Sequence, residues 1–412
     1  MPIDLGDATI YENIRMALGI VYNTAFIWLP LATVIACFNM WVSYRRERYW
    51  AEMGTVILEV KLPKEIFKSP AAMEVILGAM HQTADEGNWW QKYWLGQTRS
   101  WFSLELVSIG GNIRFFIWMR KKYKNSIESS LYSQYPGIEV YEVEDYTKDV
   151  HFDPAKHNMF GMQWELSGPD PLPIKTYVDY GLDKDPDEEF KVDPMATSLE
   201  FLSTVTQGHN FWIQIIIRAH KKEKRKPGTW FEKTDAWKDE AKKQVDEIIE
   251  KLKTAKEGGF PRIPTKGEAE KIAAIERSVS KIGFDTTIRA IYFTNKDIFN
   301  GMYVAGMFGY FKQYASAEFN GFKSAGWYSE FGNPPRDWWK SKKYFPKRLL
   351  VEYKMRRFFF SPFRGRWFYS KPFVLNSEEL ATIYHFPGSI AGAPTFERIP
   401  SKKSQAPSNL PT

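Results

Sequence analysis

Ile20 to Val42 reads IVYNTAFIWLPLATVIACFNMWV, an uncharged apolar run followed at once by Arg45, Arg46 and Arg48. As a helix rising about 1.5 Å per residue it would be roughly 34 Å long, enough for a hydrocarbon core of roughly 30 Å. A chain with such a run is expected to hold one membrane anchor, residues 20–42, and to place everything after it on one side of a bilayer. Ile20, Trp28, Pro30 and Val42 mark the span, with Arg45, Arg46 and Arg48 at its polar end. Pro30, in mid-span, is expected to kink the helix. Residues 1–19 read as a short extracytoplasmic tail, carrying Asp4, Asp7 and Glu12 against Arg15. The rule that Lys and Arg close to a span stay inside places the C-terminal bulk in the cytoplasm and the N-terminus outside as an expectation. A cleaved secretory signal would carry its basic residues first and a small-residue cleavage site after a shorter apolar stretch; the run shows neither. Trp41, Tyr44, Tyr49 and Trp50 stand where an aromatic belt would lie. The single cysteine, Cys37, falls inside the span, so no internal disulfide can form.

The chain beyond the anchor has room for two domains of ordinary size. Its net charge of +7 favours acidic partners without specifying one. Thr55–Leu62 alternates as a strand does. Pro70, with Ser69 as N-cap, opens a helix whose Met73, Ile76, Leu77 and Met80 share a face. A Trp- and Gly-rich loop, GNWWQKYWLGQTRS, leads to the strand WFSLELVSI, and Gly110-Gly111-Asn112 turns it into IRFFIWM. A helix from Lys124 to Ser133 buries Ile127, Leu131 and Tyr132, and IEVYEVEDY is a last strand. The order strand, helix, strand, strand, helix, strand over residues 54–146 is that of a ferredoxin-like (βαββαβ) unit.

The order recurs. MQWELSG is a short strand, Pro194–Val205 a helix, Phe211–His220 a buried strand, and Thr286–Thr294 another. Ile298–Tyr314 is a helix whose Gly301, Gly306 and Gly309 suit close packing, and a weaker strand follows near Ala317–Phe322. The fold class is therefore α+β: one transmembrane helix and two ferredoxin-like units, the second spanning 194–325. A helical hairpin, residues 235–282, interrupts this second unit; it either projects as an arm or folds over its own sheet. The acidic, proline-rich stretch 147–193 reads as a surface linker, 326–399 as an aromatic and basic C-terminal region, and 400–412 as a disordered tail.

Motifs for chemistry are missing. No Gly-Lys pair exists for a P-loop, no H-E-x-x-H occurs, and His151 and His157 share no helix face. Gly110-Gly111 and Gly258-Gly259 lack a Rossmann context, and the run Asp183, Asp185, Asp187, Glu188, Glu189 lacks the spacing of a calcium loop. We expect no catalytic, cofactor or metal site and no enzyme. His220–Lys226 (HKKEKRK) reads as a solvated loop. Trp338–Lys371 interleaves cations with rings: Lys343, Lys347, Arg348, Arg356, Arg357, Arg364, Arg366 and Trp367 are candidate contacts. That mixture suits single-stranded nucleic acid, a lipid headgroup surface, or a packed core with its charges in water.

FVLNSEELATIYHFPG forms a short helix locally, with Ser377 as N-cap and Glu378 and Glu379 in its first turn. Its Leu375, Glu378, Glu379, Leu380, His385 and Pro387 resemble the segment before the motor in membrane-associated HerA/FtsK-type ATPases of conjugative, type IV secretion-like DNA-transfer systems. The stretches WFSLELVSIGGNIRFFIWMRKKYKNSIESSLYSQYPGIEVYEVEDY and PIKTYVDYGLDKDP are similar to the amino-terminal region of such proteins in candidate-phylum bacteria. The resemblance implies the anchored, non-catalytic part of such a machine, with the motor absent from this sequence. Its expected partners are the lipid bilayer, further copies of the chain in a homo-oligomer, a separate P-loop motor ATPase, and nucleic acid.

Overall fold

A computed structural model describes residues 5–63, 68–183, 192–225, 232–254, 256–257, 260–316, 318–328, 344–360 and 371–387. The chain divides into two units.

The first unit comprises residues 1–52 and 86–98. Its helices are α1 (Leu5–Asn23), α2 (Ala25–Met53) and the short α4 (Trp89–Tyr93). Among the described residues α2 is the one helix long and apolar enough to cross a membrane, and little of its apolar window is buried. The expected span is corrected at its start. Ile20–Asn23 belong to α1, and the segment read as a tail is helical from Leu5 onward. The helix breaks at Thr24, whose Oγ1 donates to Ile20 O at 2.7 Å. Val21 O accepts from the Trp28 indole at 3.2 Å. Side chains satisfying backbone acceptors let a helix end without leaving bare carbonyls. Pro30 lies inside α2.

The second unit comprises residues 53–85 and 99–412. Its elements in chain order are β1 (Thr55–Lys61), α3 (Ala71–Met80), β2 (Trp101–Ile109), β3 (Asn112–Arg120), α5 (Lys124–Gln134), β4 (Glu139–Val143), β5 (His157–Leu166), α6 (Pro194–Ser203) and β6 (His209–Ala219). Two short ribbons, β7 (Lys224–Arg225) with β8 (Lys233–Thr234) and β9 (Lys256–Glu257) with β10 (Phe260–Pro261), accompany α7 (Ala236–Thr254). Then come α8 (Lys266–Ser280), β11 (Gly283–Asn295), α9 (Gly301–Gly309), β12 (Phe322–Tyr328), α10 (Tyr344–Met355), β13 (Phe373–Asn376) and α11 (Ser377–Ile383).

The long strands form one antiparallel sheet in the order β12-β5-β11-β6-β2-β3-β1-β4, with β13 added beside β11. Each half repeats one arrangement: its fourth strand, first, third and second lie side by side. The halves meet where β2 pairs with β6, Glu105 opposite Gln214. Joining them there pairs two edges that would otherwise expose bare backbone groups. The two expected domains are therefore one continuous sheet.

Alternation on these strands explains the layers. Leu58, Leu104, Phe115, Ile117, Ile213, Ile215, Ile288 and Trp164 face a helical layer built from α3, α5, α6, α9 and α11. Burying each such side chain stabilises the fold by roughly 1.5–3 kcal/mol. Gly110 and Gly111 both have positive φ (59° and 92°), the backbone a two-residue hairpin turn requires. Of the three glycines expected to pack closely, only Gly306 does, since a Cβ there would lie 2.0 Å from the Phe201 ring, whereas a Cβ at Gly301 or Gly309 would meet nothing within 4 Å.

Several expectations change. Tyr132 is 48% exposed, because α5 turns only Ile127 and Leu131 inward. The last strand of the second half begins at Phe322, not Ala317, and the helix before it is confined to Gly301–Gly309. The strand expected at MQWELSG is β5, which starts earlier, at His157, and the stretch read as a surface linker after it buries Leu172, Ile174, Tyr177 and Leu182. The base of the hairpin α7/α8 is held down by buried Trp237, Ala241, Ala274, Ile275 and Ser278.

Candidate functional site

The sheet's second face carries polar side chains where strands usually carry apolar ones. Register aligns Glu59, Phe116, Glu105, Gln214, Arg289 and Gln163 in one row across six strands. Glu105, Gln214, Arg289 and Gln163 are almost fully buried. A row like this survives burial only if each group is paired.

The pairing comes from the segment 344–360. α10 lays Leu349, Leu350 and Tyr353 inward and leaves Val351 and Met355 exposed. Arg289 Nη2 donates to Glu352 O at 2.7 Å and Gln214 Nε2 to Tyr353 O at 3.2 Å. Arg356 follows with φ of 50°, the left-handed backbone that often ends a helix and that a non-glycine residue adopts at a cost of about 1–2 kcal/mol. Its guanidinium is 1% exposed and spans two carboxylates. Nε reaches Glu105 Oε1 at 2.7 Å and Nη2 Glu105 Oε2 at 3.1 Å; Nη1 and Nη2 reach Asp145 at 2.5 and 3.1 Å. Tyr146 and Ser103 hydroxyls and the Gln214 amide also donate to Glu105. Burial opposes ionisation of Asp145, but the Arg356 hydrogen bond and charge hold its carboxyl below the usual range. The Trp101 indole closes the arrangement on Arg356 O at 2.6 Å.

Arg356 is thus withdrawn from any solvent-facing contact with nucleic acid or lipid. Arg348 pairs with Glu352 at 2.8 Å, Lys347 is exposed, and Arg357 is half-buried. Lys343, Arg364, Arg366 and Trp367 lie outside the described residues.

The helix seat is tight at Gly161, where an added Cβ would meet Leu349 Cδ2 at 1.9 Å. Gly161→Val is expected to cost about 1–3 kcal/mol by overpacking. Adding Leu349→Ala should recover part of that loss, because the two side chains would share one volume; a urea-unfolding cycle measures the coupling.

Beside this row, Asp285 receives Arg218 Nε at 3.1 Å and His220 Nδ1 at 2.6 Å, and His220 Nε2 lies 3.1 Å from Asp235 Oδ1. The Arg218 guanidinium also stacks 4.5 Å from the Phe359 ring. Burial disfavours the Asp285 charge, yet His220 and Arg218 draw its carboxyl down to about 2. His220 is pushed up, since its two aspartates outweigh burial.

The C-terminal motif is the second buried assembly. β13 extends the sheet by pairing Leu375 with Phe284, and α11 enters the helical layer against α3 and α6. Its N-cap is Asn376 rather than Ser377: Asn376 Oδ1 accepts from Glu379 N, and Glu379 Oε2 from Asn376 N, both at 2.9 Å. That frees Ser377 Oγ to donate to Glu74 at 2.9 Å. Glu379 Oε1 also accepts from Ile174 N at 3.0 Å. Glu378 meets Lys281 at 2.9 Å and Arg277 at 3.4 Å, tying the motif to α8 and its end. His385 Nε2 lies 3.3 Å from Asp193, and Leu380 and Pro387 are buried. All six motif residues therefore act inside the fold.

Titration of these groups has a sign. Glu379 is pushed up by burial to about 8, and the half-buried Asp170 to about 6. His220 and His385 are raised as well, because carboxylates outweigh burial. A group whose folded pKa is raised stabilises most below its unfolded value and loses that contribution as pH climbs through the folded one. His81 and His209, lowered by burial, act the other way. We expect net loss of stability from pH 5 to 9, with Glu379 contributing to that loss between about 4.5 and 8. Urea midpoints in detergent at three pH values check this; a midpoint rising with pH would contradict it.

Sequence reasoning missed Glu105, Asp145, Gln214, Arg289 and Asp285 as a group. For Glu105, Gln214, Arg289 and Asp285 the signal was present as polar residues within otherwise apolar strands; Asp145 lies in the loop after β4 and gave none. Among the described residues no cluster of His, Cys, Asp or Glu could hold a metal ion. The arrangement joins distant segments through paired charges. A family model described as "Domain of unknown function (DUF8128)" matches residues 51–327. No curated protein matches the chain.

Proposed function

From the premise that the chain belongs to the DUF8128 family, we propose that it is a membrane-anchored, non-enzymatic scaffold of a type IV secretion-like DNA-transfer assembly. In this reading each half of the sheet is a ferredoxin-like unit, supported by the fourth-first-third-second strand order found twice. α2 is the single-pass anchor, with its N-terminus outside and the sheet in the cytoplasm, as the arginines after it favour. The observation that carries the reading is the fate of the chemically rich residues. Arg356 of the basic, aromatic segment and Glu378 of the acidic C-terminal motif are spent inside the fold, on Glu105, Asp145, Lys281 and Arg277. Groups used this way hold a rigid body together. They also weaken the nucleic-acid reading, since Arg356 has no face for a phosphate.

The scaffold works as a homo-oligomer that seats a P-loop motor carried on a separate chain. Its test is the full-length protein in mild detergent, sized by light scattering and probed by cross-linking with the motor. A stable oligomer that retains the motor is the expected result. A monomer that binds no motor would overturn the proposal.

A further inference from the structure

The first unit carries three tryptophans in water-facing positions on one short segment. Trp89, Trp90 and Trp94 are 65%, 51% and 44% exposed, and Leu95 beside them is exposed too. Large rings seldom cluster at a solvent surface without something to cover them. The segment is firmly built. Asn88 and Gln91 form a reciprocal capping box on α4. Trp90 stacks on Trp94 with centroids 5.0 Å apart.

The segment is also fastened to the polar end of α2. Trp94 lies 5.5 Å from Trp41 and Tyr93 5.8 Å from Phe38. Arg45 Nε donates to Trp94 O at 2.7 Å. Gly96, with φ of 75°, lets the backbones meet: a Cβ there would stand 2.4 Å from the Arg45 backbone. Below this point the buried Trp50 indole donates to Thr98 Oγ1 at 2.9 Å. The exposed rings thus sit where the apolar surface of α2 gives way to arginine, and Lys92 and Glu86 pair on the same segment at 2.5 Å.

We propose that Trp89–Leu95 is a membrane-interface site, a tryptophan collar that enters the headgroup layer of the bilayer and sets the depth of the anchor. Rings with an apolar body and a polar N–H are favoured in that layer, and the cations around them suit lipid phosphate. Continuity with α2 selects lipid as the occupant. The collar makes the anchor a two-point attachment: a single helix can slide and tilt in a bilayer, whereas a helix with a lateral collar is held at one level.

The inference rests on α2 crossing the bilayer, and the test separates the two. In the full chain with Cys37→Ser, single cysteines are placed by Trp89→Cys, Leu95→Cys, Val34→Cys or Lys266→Cys, then labelled with a fluorophore and reconstituted in vesicles. Lipids with a nitroxide in the headgroup or deep in the acyl chain serve as quenchers. Labels at 89 and 95 are expected to be quenched about threefold more by the headgroup nitroxide than the label at 266, matching a depth of about 5–10 Å. The label at 34 should respond most to the deep nitroxide. If 34 is quenched while 89 and 95 match 266, the collar is overturned and the anchor stands. If 34 is not quenched either, the anchor fails and the collar with it. Labels at 89 and 95 shielded from aqueous iodide but not quenched by lipid would mean that a protein covers the patch, which also overturns the proposal.

Discussion

Replacing Arg356 by alanine is expected to cost about 3–5 kcal/mol of folding stability, the loss typical when one partner of a buried charge pair is removed. The cost has three sources. Glu105 and Asp145 would both lose their cation, and Glu105 is fully buried. The left-handed backbone at 356 would persist without the ion pairs that now compensate for it. The third source is Trp101, whose indole needs the 356 carbonyl to stay in place. Glycine at 356 relieves only the backbone, so Arg356→Gly should recover no more than about 1 kcal/mol of the deficit. Urea unfolding in detergent, followed by tryptophan fluorescence, reads both variants. If Arg356→Ala unfolded at the wild-type midpoint and instead lowered affinity for single-stranded DNA with a salt-dependent slope, this residue would be a phosphate contact after all.

The strands and helices were legible in the sequence because alternation and helical periodicity are local. TVILEVK shows its alternation, and WFSLELVSI and FWIQIIIRA show themselves as strands, without knowledge of their neighbours. What the local pattern could not reveal is pairing across distance. Glu105 and Arg356 are 251 positions apart, and no spacing rule connects them. In the C-terminal segment, cation beside ring reads equally as a stacking surface for bases and as a helix seated on a polar sheet; among its described residues, Arg356 is buried against Glu105 and Asp145. The acidic stretch before α6 misled for a related reason. Its composition is that of a solvated loop, yet Ile174, Thr176 and Tyr177 are held by Glu379, Glu378 and Thr382. Ser377 fits the N-cap rule as well as Asn376 does, and the choice is made by Glu74, which takes the serine hydroxyl.

A fragment limited to the family-matched residues 51–327 is expected not to fold cooperatively, although it contains the eight strands of the main sheet order but for the last residue of β12. On one face it lacks α10, leaving Glu105, Gln214 and Arg289 without Arg356 and two backbone carbonyls. On the other it lacks Leu375, Leu380, Tyr384 and Phe386, all buried; Phe386 packs 4.9 Å from Tyr135 and 5.4 Å from Phe115. Removing one such aromatic typically costs about 3–5 kcal/mol, and a domain's whole stability is about 5–15 kcal/mol. Several losses of that size exceed what the rest of the core can supply. A fragment of residues 51–387 restores both faces and should unfold in a single transition; the segment 344–387 supplied as a separate chain should rescue the shorter fragment in part, since its contacts do not need the covalent link. Circular dichroism and limited proteolysis in detergent distinguish the outcomes. Equal unfolding midpoints for 51–327 and 51–387 would mean that the C-terminal segments rest on a body already complete without them. The charges they bring would then be free to serve a partner.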